Sequence, residues 1–411
     1  MCSSIFTLLL VQFVDFDAMA QPCELSSGIE ILNKIKESHP DLKIRGSQLR
    51  IFEAGIDQAS QAPNPQINFT TNHGDRNGVG SSETTGSLQY VFELGGKSSS
   101  RTGVAKSRYK LNEVRLKNSS DDILIDAALK ITRYSQVNTM LSLYKESLDV
   151  FKKMRSTLRK NKKLSPEQQI QEDIVDMEVS KHRIRISNLV SEHSYLTRLL
   201  QFYTGKNCRI NLKDDGLALP TPSSISTRQA KTPEYRELEW ESKLMGQKLS
   251  LAKAESYPNI KIGPSMQLER GMGQDIDRFG ISLTMDLPIL NRNQGGRSIA
   301  KQNESLFQNR LKFNKTENDI NIQALSDTYK TTFETLRLVP SKKDLLKKHH
   351  RIEKFFLRGL ISISTMVDGH DELLGLIDER DQHELLALET YLKISQSKDD
   401  LDPALTNWGK K

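Results

Sequence analysis

The sequence predicts a mainly α chain with a small β part, laid out twice along its length. Three observations carry that reading. First, "AKAESYPNIKIG…ISLTMDLPILNRNQGGRSIAK" (252–301) parallels "ASQAPNPQINF…GSLQYVFELGGKSSSRTGVAK" (59–106), with Pro65 answering to Pro258 and Ala105-Lys106 to Ala300-Lys301. A repeat at an offset of 193 to 195 residues is an organisational signal, because each copy keeps the order helix, strand, polar loop, strand, long helix. Second, the strand segments alternate with period 2: Leu88, Tyr90, Phe92 and Leu94 share one face, and Phe279, Ile281, Leu283, Met285 and Leu287 another, opposed by Ser87, Gln89, Ser282 and Thr284. Third, Ala127, Ile131, Tyr134, Val137, Leu141, Tyr144, Leu148, Phe151, Met154 and Leu158 recur at spacings of three and four, the seam of long antiparallel coiled-coil helices.

Taken in order, residues 1–20 read as a signal peptide. An apolar run from Ile5 to Val14 is too short to span a bilayer, and Ala18-Met19-Ala20 places small residues before Gln21. The segment departs from the usual pattern in lacking Lys and Arg and in carrying Asp15 and Asp17. The first structural repeat is assigned to 21–205, with a helix, a β-hairpin at about 65–94 and a long helical hairpin whose tip lies at about 160–166. Ser165 is the expected N-cap of the return helix and Pro166 its first residue. Residues 206–232 form a linker. The second repeat, 233–395, has a β-hairpin at about 258–289 and a helical hairpin with its tip at about 359–364. Pro340 must kink or interrupt its outward helix. Residues 396–411 read as a frayed polar tail. From Gly96 to the first tip is about 66 residues and from Arg292 to the second about 70, so at about 1.5 Å per residue both helical hairpins reach roughly 100 Å and end at a common level.

Composition narrows the function classes. The chain of 411 residues is 27% charged, 36% hydrophobic and 6% aromatic, with a mean hydropathy of −0.53, which suits long helices packed along narrow seams better than thick globular cores. The net charge of +7 is spread along the chain and interleaved with acids, without an aromatic-plus-basic cluster, so no nucleic-acid partner is expected. The eight histidines show no ligand spacing, and His349-His350 point to different helix faces, so no metal site is read. Gly95-Gly96-Lys97 lacks the earlier Gly of a P-loop, and no nucleophile elbow appears. The expectation is a protein that is not an enzyme and needs no cofactor. Beyond Cys2 there are two cysteines, Cys23 and Cys208, and the sequence leaves a bonded pair and two free thiols equally open.

The strands pose the functional question. Each is about 9 to 12 residues long, enough to cross a bilayer when tilted. Four strands are too few to close, since the smallest single-chain membrane barrels have about eight, and open edges do not survive in hydrocarbon. Membrane insertion therefore requires several chains to pool their strands: two would supply eight and three twelve. The competing reading is a periplasmic coiled-coil structural or interaction protein whose small sheet stays in water.

The segments "PNPQINF", "YVFELGGKSSSR", "ESYPNIKIG", "ISLTMDLPIL" and "FLRGLISISTMVDGHDELLGLIDERDQHELLALETYLKI", in that duplicated order, resemble the TolC-like outer-membrane efflux proteins over residues 24–395, with the "PNP…ET…ELGGK" run most similar to the heavy-metal cation (Czc-type) branch. The resemblance implies a homotrimer in outer-membrane lipid whose strands form one 12-stranded β-barrel. It further implies a helical periplasmic tunnel and an equatorial belt built from the N-terminus, the 206–232 linker and the tail. The implied function is a passive duct of a tripartite efflux or type I secretion system, served by a periplasmic adaptor (membrane fusion protein) and an inner-membrane pump of RND or ABC type. Gly359 and Ser362 match the family's adaptor-docking turn. In the first copy Ser165 is retained and Lys162 stands where the turn Gly belongs. Asp368 matches one of the inward carboxylates at the closed pore entrance, and Thr365 replaces the other. Cys23 and Cys208 both fall in the implied belt, which favours their pairing.

Overall fold

The computed structural model describes residues 23–76, 79–160, 164–205, 208–212, 217–271 and 275–408; the expected signal peptide and Lys162 lie outside them. In chain order the elements are β1 (Cys23–Leu25), α1 (Gly28–Ser38), α2 (Pro40–Ser60), β2 (Gln66–Arg76), β3 (Val79–Glu93), α3 (Lys97–Leu158), α4 (Pro166–Thr204), β4 (Cys208–Ile210), α5 (Pro233–Ala254), β5 (Asn259–Arg270), β6 (Ile276–Met285), α6 (Gln294–Leu338), α7 (Lys342–Leu357), α8 (Ile363–Ser397) and α9 (Leu401–Trp408). A helix, a β-hairpin, a long outgoing helix and a return helix thus occur in that order twice. Helix α3 alone has 62 residues, about 93 Å at 1.5 Å per residue.

Local chemistry sets the breaks. Ser165 caps α4 through a capping box with Gln168, with Pro166 inside the first turn. Pro340 lies between α6 and α7, as its missing N–H and fixed φ require, and Ser341 restarts the helix by accepting from the Asp344 N–H. The turn from strand to helix at Gly95-Gly96 has φ near +70° at both residues, and a side chain on Gly95 would collide with the Tyr257 ring. Arg101 fastens this junction with two bonds to Glu93, at 2.8 and 3.1 Å, and others to the Ala59 and Gln61 carbonyls.

The main core lies mid-length in the helical bundle. Ile131, Val137 and Met140 of α3, Leu196 and Leu200 of α4, and Leu374, Ile377 and Leu388 of α8 meet there. Around it runs a collar: Ile31, Leu32 and Ile35 of α1 are fully buried, and β1 pairs in parallel with β4, Cys23 opposite Cys208. These two cysteines are joined in a disulfide, with 4.3 Å between their Cα atoms. A second cluster joins the two hairpin ends, with Phe151, Met154 and Leu158 of the first packed among Met366, Val367, Ile361 and Ile363 of the second.

The polar tail expected after 396 needs correction. Residues 401–408 form α9, which buries Leu401, Ala404 and Leu405 in the main core and sets Trp408 over Gly28. One turn of apolar spacing in a polar stretch was enough to dock it, and Lys36 and Asp402 pair across the joint at 2.5 Å. Strand β6 also ends at Met285 rather than near 289, because Pro288 has no N–H for the ladder.

Candidate functional site: the open sheet and the hairpin tips

The two β-hairpins are not separate. β2, β3, β5 and β6 form one antiparallel sheet in that order, joined through β3 and β5, which leaves β2 and β6 as free edges. Register places Ile67 opposite Leu88, Tyr90 opposite Ile262, Phe92 opposite Ile260, Ile262 opposite Leu283 and Met266 opposite Phe279, all on one face. That face is open: Ile67 is 80% exposed, and Phe279 and Ile281 are each 78% exposed. The opposite face is polar. Gln89, only 2% exposed, donates to Ser282 at 2.6 Å and Thr284 at 3.0 Å and accepts from Asn68 at 3.0 Å, one residue tying β3 to both edge strands, β2 and β6. Gln267 donates to Glu83 on the same side.

This arrangement inverts a sheet designed for water, which buries its apolar side. The charges confirm the asymmetry. Glu83, Lys261, Glu269 and Arg278 alternate onto the polar face, whereas on the apolar face Arg270 and Asp277 appear only at the loop end, paired at 2.7 Å. Between Ile260 and Leu268 the apolar band runs about 26 Å along the strand, or about 20 Å once tilted as barrel strands are, close to the outer band of membrane barrels.

The helices carry open stripes too. On α6, Ile299, Leu306, Phe313 and Ile320 are exposed at strict seven-residue intervals, and on α4 Ile170, Met177 and Ile184 repeat the pattern. A heptad stripe is a coiled-coil seam, and these lack a partner within the described chain.

At the second tip, Gly359 has φ +70° and closes α7: its N–H bonds to the Phe356 carbonyl at 2.8 Å and that of Leu360 to Phe355 at 2.9 Å. A side chain there would meet nothing within 4 Å, so the turn presents bare backbone flanked by the exposed Leu357 and Leu360. Ser362 caps α8, accepting from the Thr365 N–H at 3.1 Å, while its Oγ lies 2.9 Å from Thr365 Oγ1. Thr365 is therefore engaged in the cap. Asp368, one turn on, is exposed beside Asp371, Glu372 and Glu379. Asp371 and Asp378 are paired with Lys181 and Arg185 of α4, and Asp368 has no ion pair among the described residues. The structure thus brings Gly359, Ser362, Thr365 and Asp368 onto one tip. It places Ser165 on the adjoining tip, and Cys23 with Cys208 far away in the collar.

Sequence reasoning missed a buried polar knot above the tips. His182 of α4, His349 of α7 and His370 of α8 are fully buried with Ser147 of α3, and His349 Nε2 lies 2.8 Å from His370 Nε2. Burial depresses all three imidazoles, His349 to about 4 and His370 to about 3. Each histidine sits on a different helix, so local spacing shows only the i, i+4 pairs Glu178–His182 and His349–Glu353.

No protein-family model matches this chain, and no curated protein matches it. Solved structures do. The Campylobacter jejuni CmeC outer membrane channel is similar over 93% of this chain and 89% of its own, with a TM-score of 0.67 at 12% identity. The outer-membrane channel OprN is similar over 90% and 89%, with a TM-score of 0.65 at 14% identity. CusC, whose folding and transmembrane channel formation are described from crystal structures, is similar over 90% and 92%, with a TM-score of 0.62 at 14% identity. The chain has the TolC-like outer-membrane-channel fold. These neighbours do not single out the heavy-metal branch.

Proposed function

We propose that the chain is the outer-membrane duct of a tripartite efflux or type I secretion system, acting as a homotrimer with a large periplasmic portion. One observation carries this reading: a four-stranded sheet with its apolar face outward, its polar face inward and both edges free. Each edge strand of about ten residues leaves roughly ten backbone groups unpaired, and in hydrocarbon each costs several kcal/mol. A monomeric sheet therefore cannot enter lipid. Pairing β2 of one copy with β6 of the next removes that cost, and three copies close twelve strands around a polar lumen. No helix among the described residues is long and apolar enough to cross a membrane.

The heptad stripes on α4 and α6 fit the same assembly, each docking on a neighbouring copy to complete a helical tunnel. The paired tips then form its periplasmic mouth. There, Gly359 and Ser362, with Ser165 and Lys162 on the first hairpin, receive a periplasmic adaptor, and three Asp368 side chains ring the entrance beside Thr365 and favour cations over anions. Transport through such a duct is passive, driven by an inner-membrane pump. Residues 1–20 direct export and are then removed, and 21–205 and 233–395 act as its two structural repeats. The test is fractionation: the duct reading predicts a heat-modifiable trimer in the detergent-extracted outer membrane. A monomer in the soluble periplasmic fraction, as a coiled-coil structural protein would give, overturns it.

A further inference from the structure

Of the buried polar atoms without a partner among the described residues, several fall in one place: Glu353 Oε1, His349 Nδ1, His370 Nδ1 and His182 Nε2. The knot extends to the surface. One donor atom from each of Glu146, His349, His350 and Glu353 lies within 4.8 Å of all the others. We propose that these four residues form a binding site for a divalent first-row transition-metal ion of the zinc class, clipping α7 of the second hairpin to α3 of the first.

The donor chemistry fits that class. Two imidazoles and two carboxylates, with no thiolate, suit Zn²⁺ or its first-row neighbours over soft ions, and the two carboxylate charges balance the ion's. Ligand atoms around a tetrahedral ion stand roughly 3.3 Å apart, given bonds of about 2.0–2.2 Å. His349 Nε2 to Glu353 Oε1 is already 3.6 Å, and His350 Nδ1 to Glu146 Oε1 is 3.7 Å, so closure needs only small rotamer changes. The residues sit on the elements a clip requires: His349 and Glu353 are one helical turn apart on α7, and Glu146 reaches across from α3.

The floor is buried and the mouth is wet. The His349 Nε2 that faces Glu353 also lies within 3.2 Å of Ser147 Oγ and 2.8 Å of His370 Nε2, so an ion bound at that nitrogen displaces these two contacts. Glu353 is buried, while Glu146 and His350 are exposed and give an ion a path from water. A bound cation would compensate both carboxylates. This inference does not depend on the duct reading, since it concerns one chain's own helices.

The experiment uses the untagged full-length protein, purified in detergent, stripped with EDTA and titrated with Zn²⁺ alone, with bound metal counted by elemental analysis. One ion per chain is expected. Glu146→Gln and His350→Ala, both at exposed positions, should each weaken binding at least tenfold while leaving the oligomer intact. A stoichiometry well below one, or unchanged affinity in both variants, overturns the site. Glu353→Gln gives a third check: if it retains wild-type affinity, the buried carboxylate is not a ligand and the proposal fails.

Discussion

Ile281→Arg separates a sheet facing lipid from one facing water, because the two environments give the substitution opposite outcomes. Ile281 is central on β6, midway between Asp277 and Met285, and 78% exposed in the single chain. In water a charge at so open a position changes stability by no more than about 0.5 kcal/mol. At the midplane of a membrane barrel an arginine costs about 2–4 kcal/mol. Three copies in one barrel raise this to about 6–12 kcal/mol, which at 1.4 kcal/mol per tenfold disfavours insertion by a factor of about 10⁴ or more. Thr70→Arg is the matched control: it alternates onto the polar face, one residue from Phe69, where a charge stays in the aqueous lumen. The assay is the yield of heat-modifiable oligomer in outer membranes. Loss with Ile281→Arg and retention with Thr70→Arg are expected. Wild-type yield from Ile281→Arg, or equal loss from both, would refute the assignment of faces.

Phe313→Glu, in the α6 heptad stripe, should weaken assembly by about 1.5–3 kcal/mol per interface without lowering the secondary structure of the isolated chain; circular dichroism beside cross-linking yield distinguishes the two, and unimpaired cross-linking contradicts the seam. Gly359→Trp should abolish efflux while leaving oligomer yield unchanged, since a side chain there meets nothing within its own chain and the left-handed φ of +70° adds only about 1–2 kcal/mol of strain, confined to the tip; unchanged resistance in cells that depend on this duct counts against tip docking. The Cys23–Cys208 bond closes a span of 185 residues, worth about 5 kcal/mol in the chain-entropy account, so Cys208→Ser should lower the melting temperature of the collar; free thiols at both positions in exported protein, read by non-reducing mass spectrometry, would remove the bond from the account.

What the sequence made legible follows from range. Alternation along β3 and β6 is a nearest-neighbour property, so the apolar faces of Tyr90, Phe92, Phe279 and Ile281 were readable directly. The breaks at Ser165-Pro166 and Pro340 rest on backbone chemistry carried by one or two residues. The union of both hairpins into one sheet was not readable, because the Tyr90–Ile262 pairing joins residues far apart in the chain. Helix α9 was missed because its few apolar residues gain meaning only against α1 and α8. The histidine knot was missed for the same reason: His182, His349 and His370 come from three helices whose rotation about their axes no local spacing fixes. The tip residues Gly359, Ser362 and Asp368 were found through resemblance, and nothing in their own periodicity marks them as a docking surface.

The most direct test of the central claim is the mass of the detergent-extracted outer-membrane protein by native mass spectrometry. Sheets that close only by sharing edges predict a single species of three chains. A species of one chain that retains its β-sheet signal would contradict the account.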